Sequence, residues 1–319
     1  MNDQASRLRA IAGVRAEPAQ VGVSTAHVPQ QPAVEMQPPP EATPPRIEIN
    51  LAKAIAIASG KGGVGKSNIA ANIASTLGNA GRRVALFDAD MGCANADLLC
   101  GLNPQATLEE VILGTKRLSE VMLKGPGGFR LIPGASGVAQ LASLNVEQRD
   151  LLMRQLQALQ QIVDVMLIDL GAGIGPDAVE FASAADTVLV VCTPEPTAIT
   201  DAYGAIKTIA TRSKDSDIRL IVNMAGSQQE GRTVHQRIDS VARKHLGREI
   251  RLAGIVPFDF AVRTAVKRRR LLIQDAPKSR AMSAIRTIAQ SLDDLFPEIE
   301  TTTRAGGFLQ RLLRPRSGR

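Results

Sequence analysis

Gly60-Lys61-Gly62-Gly63-Val64-Gly65-Lys66-Ser67 is a phosphate-binding loop with one addition, a second lysine directly after its first glycine. In the pattern G-x-x-x-x-G-K-[ST], glycines let backbone N–H groups curl around a phosphate chain. The closing lysine, Lys66, neutralises the β/γ oxygens, and the hydroxyl of Ser67 ligates Mg²⁺. Residues 60–67, with Asn68 behind them, are the expected nucleotide contacts. Ala54 to Ser59 is a short apolar run that fits a buried strand, and Ser67 to Leu77 is helix-prone, so the loop sits where the motif requires. Lys61 has two readings. It is a solvated loop lysine, or it reaches a phosphate bound by another subunit, since its own loop already has Lys66.

Working outward, apolar runs alternate with helical patterns from Ile47 to about Pro297. Arg83 to Asp88, Phe129 to Pro133, Val165 to Asp169, Thr187 to Cys192, Arg219 to Asn223 and Leu252 to Val256 read as strands, while Val146 to Gln161 and Ala198 to Arg212 read as helices. Continuous apolar strands separated by helices imply an α/β fold: a P-loop NTPase whose mostly parallel, twisted sheet is flanked by helices on both faces. The ligand then belongs at the carboxyl ends of the strands.

The 319 residues, 44% of them hydrophobic, suffice for one sizeable core with appendages. Four segments are expected: an N-terminal element at 1–12, a Pro/Gln-rich disordered linker at 13–46, the core at 47–297, and a linker with an amphipathic helix at 298–319. No stretch of about eighteen apolar residues exists and Met1-Asn2-Asp3-Gln4 lacks a signal-peptide layout, so a cytoplasmic location is expected. Cys93, Cys100 and Cys192 form no C-x-x-C pair, which argues against a zinc site, an iron–sulfur carrier or a disulfide scaffold. A net charge of +7 suits an anionic partner without choosing among nucleotide, nucleic acid and lipid. The basic run Lys267-Arg268-Arg269-Arg270 reads first as a solvated helix end and second as an anion-facing surface.

Three carboxylates fall at strand ends beside the loop. Asp88 and Asp169 are expected to hold Mg²⁺ largely through its hydration shell, because Mg²⁺ keeps several waters and takes one or two protein carboxylates. Asp90, farther along its loop, is placed to orient or deprotonate the attacking water. Gly171, Ala172 and Gly173 would let the second loop approach the γ-phosphate.

The loop with Lys61, the segment Asp88-Ala89-Asp90-Met91-Gly92-Cys93-Ala94-Asn95-Ala96-Asp97, and Asp169-Leu170-Gly171-Ala172-Gly173 resemble the deviant-Walker ATPases of the ParA/MinD type over about residues 52–292. The resemblance implies ATP and Mg²⁺ as cofactors, slow hydrolysis, and a sandwich homodimer in which Lys61 contacts the partner's nucleotide and acts in catalysis with Lys66 and Asp90. It also implies that Asn223 and the Pro257-Phe258-Asp259 turn recognise adenine. Leu170 departs from the threonine usual after the second strand-end aspartate.

Two terminal segments sharpen the likeness. Asp3-Gln4-Ala5-Ser6-Arg7-Leu8-Arg9 is similar to the D-Q-A-x-x-L-R element of the FlhG family, also called FleN or YlxH, the MinD-like ATPases that set flagellar number. The resemblance implies that Asp3, Gln4, Leu8 and Arg9 engage the GTPase FlhF and stimulate it. It further implies contacts with flagellar switch (C-ring) components or a flagellar transcription regulator, with nucleic acid not expected. At the other end, Phe308, Leu309, Leu312 and Leu313 share a helical face flanked by Arg311 and Arg314, similar to the membrane-targeting tail of MinD. Burial of four such side chains is worth at most roughly 6–12 kcal/mol by area before ordering costs, so one copy binds anionic lipid weakly and two copies in a dimer bind well. The other reading is that these side chains cover a groove on the core, and both hold if the helix is stowed in the monomer and released in the dimer. The alternatives to an FlhG-type protein are a MinD-type division-site ATPase and a ParA-type DNA-segregation ATPase.

Overall fold

The computed structural model describes residues 51–90, 94–134, 144–294 and 307–312. The chain divides into two units between Arg46 and Ile47, and the described residues all belong to the second. The expected partner-binding element at Asp3, Gln4, Leu8 and Arg9, the linker that follows it, Cys93, and Leu313 with Arg314 lie outside the described residues.

Eight strands form one sheet: β1 Lys53–Ala58, β2 Val84–Ala89, β3 Leu123–Lys124, β4 Arg130–Ile132, β5 Val165–Leu170, β6 Thr187–Cys192, β7 Asp217–Ala225 and β8 Arg251–Pro257. Their order is β3-β4-β2-β5-β1-β6-β7-β8, parallel throughout except for the β3–β4 pair at one edge. Strands β2, β5 and β6 are buried at every position, which is why they read as continuous apolar runs. Alternation is preserved inside β1: Ala54, Ala56 and Ala58 face one helical layer, Ile55 and Ile57 the other.

The helices are α1 Lys66–Asn79, α2 Ala96–Cys100, α3 Leu108–Ile112, α4 Leu118–Val121, α5 Val146–Ile162, α6 Pro176–Ala184, α7 Pro196–Arg212, α8 Gln228–Leu246, α9 Phe260–Lys267, α10 Leu272–Asp275, α11 Arg280–Asp293 and α12 Phe308–Leu312. One face of the sheet is covered by α1 and α11 through Ile69, Ile73, Leu77, Ile285, Ile288 and Leu292. The other is covered by α5, α6, α7 and α8, and by α12. Cys100 and Cys192 are buried free thiols, and burial pushes both up to about 12.

The described part of the C-terminal segment joins the core. Phe308, Leu309 and Leu312 are each 3% exposed or less, and the Phe308 ring stacks on Phe181 of α6 at 6.2 Å between centroids. Arg311, expected to flank the apolar face toward solvent, points inward. Its Nε donates to the Ala184 carbonyl at 2.7 Å, and its guanidinium pairs with Asp186 at 2.6 Å. The other oxygen of Asp186 accepts the N–H of Ala54 at the start of β1. The apolar face therefore rests on protein, which is the groove-covering alternative; a lipid contact requires that it first leave this site.

Candidate functional site

The strand-end register assembles the cleft. Pairing of β2 with β5 sets Asp88 beside Asp169, and pairing of β5 with β1 sets Asp169 beside Ile57, three residues before the loop. The glycines of that loop are dictated by space and dihedral angle. A Cβ on Gly60 would lie 2.1 Å from the backbone of Asp201 in α7. Gly65 has φ +88°, and a Cβ there would strike Nδ2 of Asn223 at 2.5 Å. As the N-cap of α1, Gly65 supplies no side-chain cap, so the first-turn N–H groups of the helix are available to an anion.

Loop and strand ends border a cleft of about 790 Å³ lined by Ser59, residues 61–68, Asp90 and Ala172 on one side and by Asn95, Leu98, Leu99, Val266 and Arg269 on the other. Beneath it, Lys66 Nζ lies 2.7 Å from Asp169 Oδ1, with both side chains buried. Burial pushes the Asp169 carboxyl up, and the Lys66 ammonium pulls it back. Its second oxygen, Oδ2, is buried without a hydrogen-bond partner, as is Nδ2 of Asn68. Those two orphaned polar atoms ask for a ligand that accepts at one point and is bound at the other. An Mg²⁺ with its waters fits Oδ2, with the Ser67 hydroxyl on the same wall, and a phosphate oxygen fits Asn68. No group of three His, Cys, Asp or Glu side chains able to hold a metal exists among the described residues.

Asp88 has a second occupation. Its oxygens accept from the N–H groups of Asp90, Asn95 and Ala96 at 3.0–3.1 Å, so it closes the loop and caps the entrance of α2. Burial, then the neighbouring Asp169, push its carboxyl up to about 7 against those three donors. Asp90 lies against Gly171 of the second loop, and its charge adds to the upward push on Asp169.

Lys61 stands at the open side of the cleft and is held by its own chain, 2.6 Å from Glu195 Oε2 and 3.2 Å from Thr197 Oγ1. Asn223 does not line the cleft; its Nδ2 donates to the Val64 carbonyl at 2.7 Å, securing the loop from below. Pro257 ends β8, and Asp259 caps α9 by accepting from Ala261 through Oδ1 and ties it to the start of α11 by accepting from Ala281 through Oδ2. Asn223 and Asp259 are thus already engaged in holding the loop and the α9–α11 junction, and each keeps further hydrogen-bonding capacity. Sequence reasoning missed Glu195 and Thr197, although both follow a strand read correctly. It also missed the cleft-lining position of Arg269, whose run was read first as solvated; Arg268 of that run pairs with Asp275 at 3.2 Å.

A family model of the ParA group, described as NUBPL iron-transfer P-loop NTPase, matches residues 50–293. The chain is 41% identical over 239 residues to the antiactivator FleN of Pseudomonas aeruginosa, covering 75% of this chain and 85% of FleN. It is 38% identical over 239 residues to the flagellum site-determining protein YlxH of Helicobacter pylori, covering 74% and 80%. Among solved structures, the MinC:MinD cell division protein complex of Aquifex aeolicus superimposes with a TM-score of 0.63 at 26% identity, covering 80% of this chain and all of that one.

Proposed function

The chain belongs to the ParA/MinD family of P-loop ATPases, on the branch of FleN and YlxH, and from that premise we propose that it is a flagellar positioning switch driven by ATP-dependent dimerisation. The observation that carries the reading is the pair of lysines. Lys66 is buried under the loop, and Lys61 is half-buried at its mouth, paired with an exposed Glu195. In nucleotide-bound form Lys66 exchanges Asp169 for the β/γ oxygens. Mg²⁺, when bound, would be held by the Ser67 hydroxyl and, through water, by Asp169 and Asp88, and would neutralise charge on the phosphate chain. Lys61 leaves Glu195 and Thr197 for the nucleotide of a second copy. Exposed pairs of this kind contribute about 0.2–1 kcal/mol, so the exchange costs little. Asp90 orients the attacking water as hydrolysis returns the pair to monomers.

The reading extends to membrane attachment through release of α12 from its dock. An apolar face already buried on protein gains little by moving to lipid, since both environments exclude water. The advantage must come from weakening the groove. Helix α6 spans the distance: it begins just after the Asp169–Gly175 loop and ends at Ala184, which receives Arg311. Closure of that loop on a γ-phosphate shifts α6, undocks α12, and gives two adjacent tails to an anionic inner membrane surface. At the other end, Asp3, Gln4, Leu8 and Arg9 would stimulate the FlhF GTPase, with switch or transcription components as further partners.

Liposome flotation tests the reading. With a non-hydrolysable ATP analogue and Mg²⁺, the protein is expected to float with anionic vesicles, and with ADP to stay at the bottom. Equal flotation under both conditions would remove the switch. Co-sedimentation with DNA in place of vesicles would favour the segregation alternative.

A further inference from the structure

Charge around the cleft is unevenly committed. Four ionisable groups line it: Lys61, Lys66, Asp90 and Arg269. Lys61 is engaged by Glu195 and Lys66 by Asp169. Arg269 takes part in no ion pair among the described residues, although its neighbour Arg268 does.

The backbone that carries Arg269 is fixed on both flanks. Helix α9 ends in overlapping turns, with the N–H of Arg269 bonded to the Val266 carbonyl and that of Arg270 to the Ala265 carbonyl. Arg269 itself has φ +51°, a left-handed conformation unusual outside glycine. Its carbonyl packs so closely on the end of α2 that a Cβ at Gly101 would lie 2.6 Å away, and Leu271 and Leu272 are fully buried immediately beyond. The main chain is pinned while the guanidinium is left exposed on the cleft wall made by α2 and the end of α9.

We propose that Arg269 is the capture residue for the incoming nucleotide, pairing with its phosphate chain before either lysine is released from its carboxylate. This rests on the reading of the cleft as a nucleotide site. An anion approaching the cleft meets two lysines whose charges are offset by their partners and one cation whose charge is not. A cation in a concave, partly apolar cleft raises the association rate of an anion in a salt-dependent way. A guanidinium offers two parallel N–H donors to phosphate, and its exposure means that no bond has to break first. Lys66 then trades Asp169 for the phosphate chain once that chain is held.

Stopped-flow binding of the fluorescent nucleotide mant-ATP with Mg²⁺ tests this, at low and high salt. Arg269→Ala is expected to lower the association rate constant about tenfold and to flatten its salt dependence. Arg269→Lys should restore most of both, and the unliganded variants should melt with the wild type. An Arg269→Ala protein that associates at the wild-type rate with the wild-type salt dependence overturns the proposal, as does a loss confined to dissociation that lysine leaves unrepaired. A wild-type chain that fails to bind mant-ATP removes the nucleotide reading instead.

Discussion

The nucleotide cleft and the α12 dock stand at opposite ends of α6 and are built on opposite principles. In the dock the described side chains of α12 are engaged, although Ser183 Oγ and Gln160 Nε2 nearby are buried without hydrogen bonds. Phe308 stacks on Phe181, Leu309 and Leu312 are buried, and Arg311 answers both the Ala184 carbonyl and Asp186. In the cleft, Oδ2 of Asp169 and Nδ2 of Asn68 are buried without partners, Asp88 is pushed far above the usual carboxylate range, and Arg269 is unpaired. The difference indicates which end supplies the signal and which one receives it.

The largest expected effect falls on the incomplete end. Asp90→Ala should keep ATP binding and lower turnover by about a hundredfold or more, the range of a lost general base or water-orienting group. Phosphate release under saturating ATP measures it, and wild-type turnover would take Asp90 out of the mechanism. At the mouth of the same cleft, Lys61→Ala should leave the monomer as stable as the wild type, because the pair it removes is solvent-exposed, while weakening the ATP-bound dimer at least about tenfold. Analytical ultracentrifugation with an ATP analogue decides; a dimer of full strength returns Lys61 to the role of a solvated loop lysine.

The satisfied end offers a subtler break. Arg311→Ala removes bonds to a carbonyl and a carboxylate without touching the apolar face, and hydrogen bonds to charged groups contribute about 1.5–3 kcal/mol each. The docked fraction should fall by about tenfold or more, since about 1.4 kcal/mol is tenfold. Anionic liposomes should then retain the variant even with ADP. Retention no greater than wild type would mean that the groove does not compete with lipid.

The smallest effect is titration of Asp88. Its folded pKa, raised to about 7, exceeds the unfolded value, so the folded state keeps a proton that the unfolded chain releases. Stability of the nucleotide-free protein should therefore fall as pH rises from roughly 4 to 7, read as a falling melting temperature. Asp88→Asn should flatten that dependence. A wild-type melting temperature that climbs through the window would contradict the assigned shift.

Much of the cleft was legible because its chemistry is local. The loop, its two lysines, and the strand-end aspartates are contiguous motifs whose spacing carries the geometry. Strand β3 was not, since two residues, Leu123 and Lys124, are too short to show any period. Glu195 lies 134 residues from Lys61, and only the sheet order brings them together. The tail was legible as amphipathic, with lipid and a groove on the core left as alternatives, because an apolar helical face looks the same whether protein or lipid will cover it. Arg311 deceived for a related reason: an arginine beside an apolar face suggests a lipid headgroup, and here it serves Asp186.

The central claim is that each nucleotide is clamped between two chains, the Lys61 of one reaching the nucleotide of the other. Light scattering on a sizing column, with Mg²⁺ and a non-hydrolysable ATP analogue at saturation, measures it directly. The account predicts a mass twice that of the chain with the analogue and a single chain with ADP. A single chain under both conditions would contradict it.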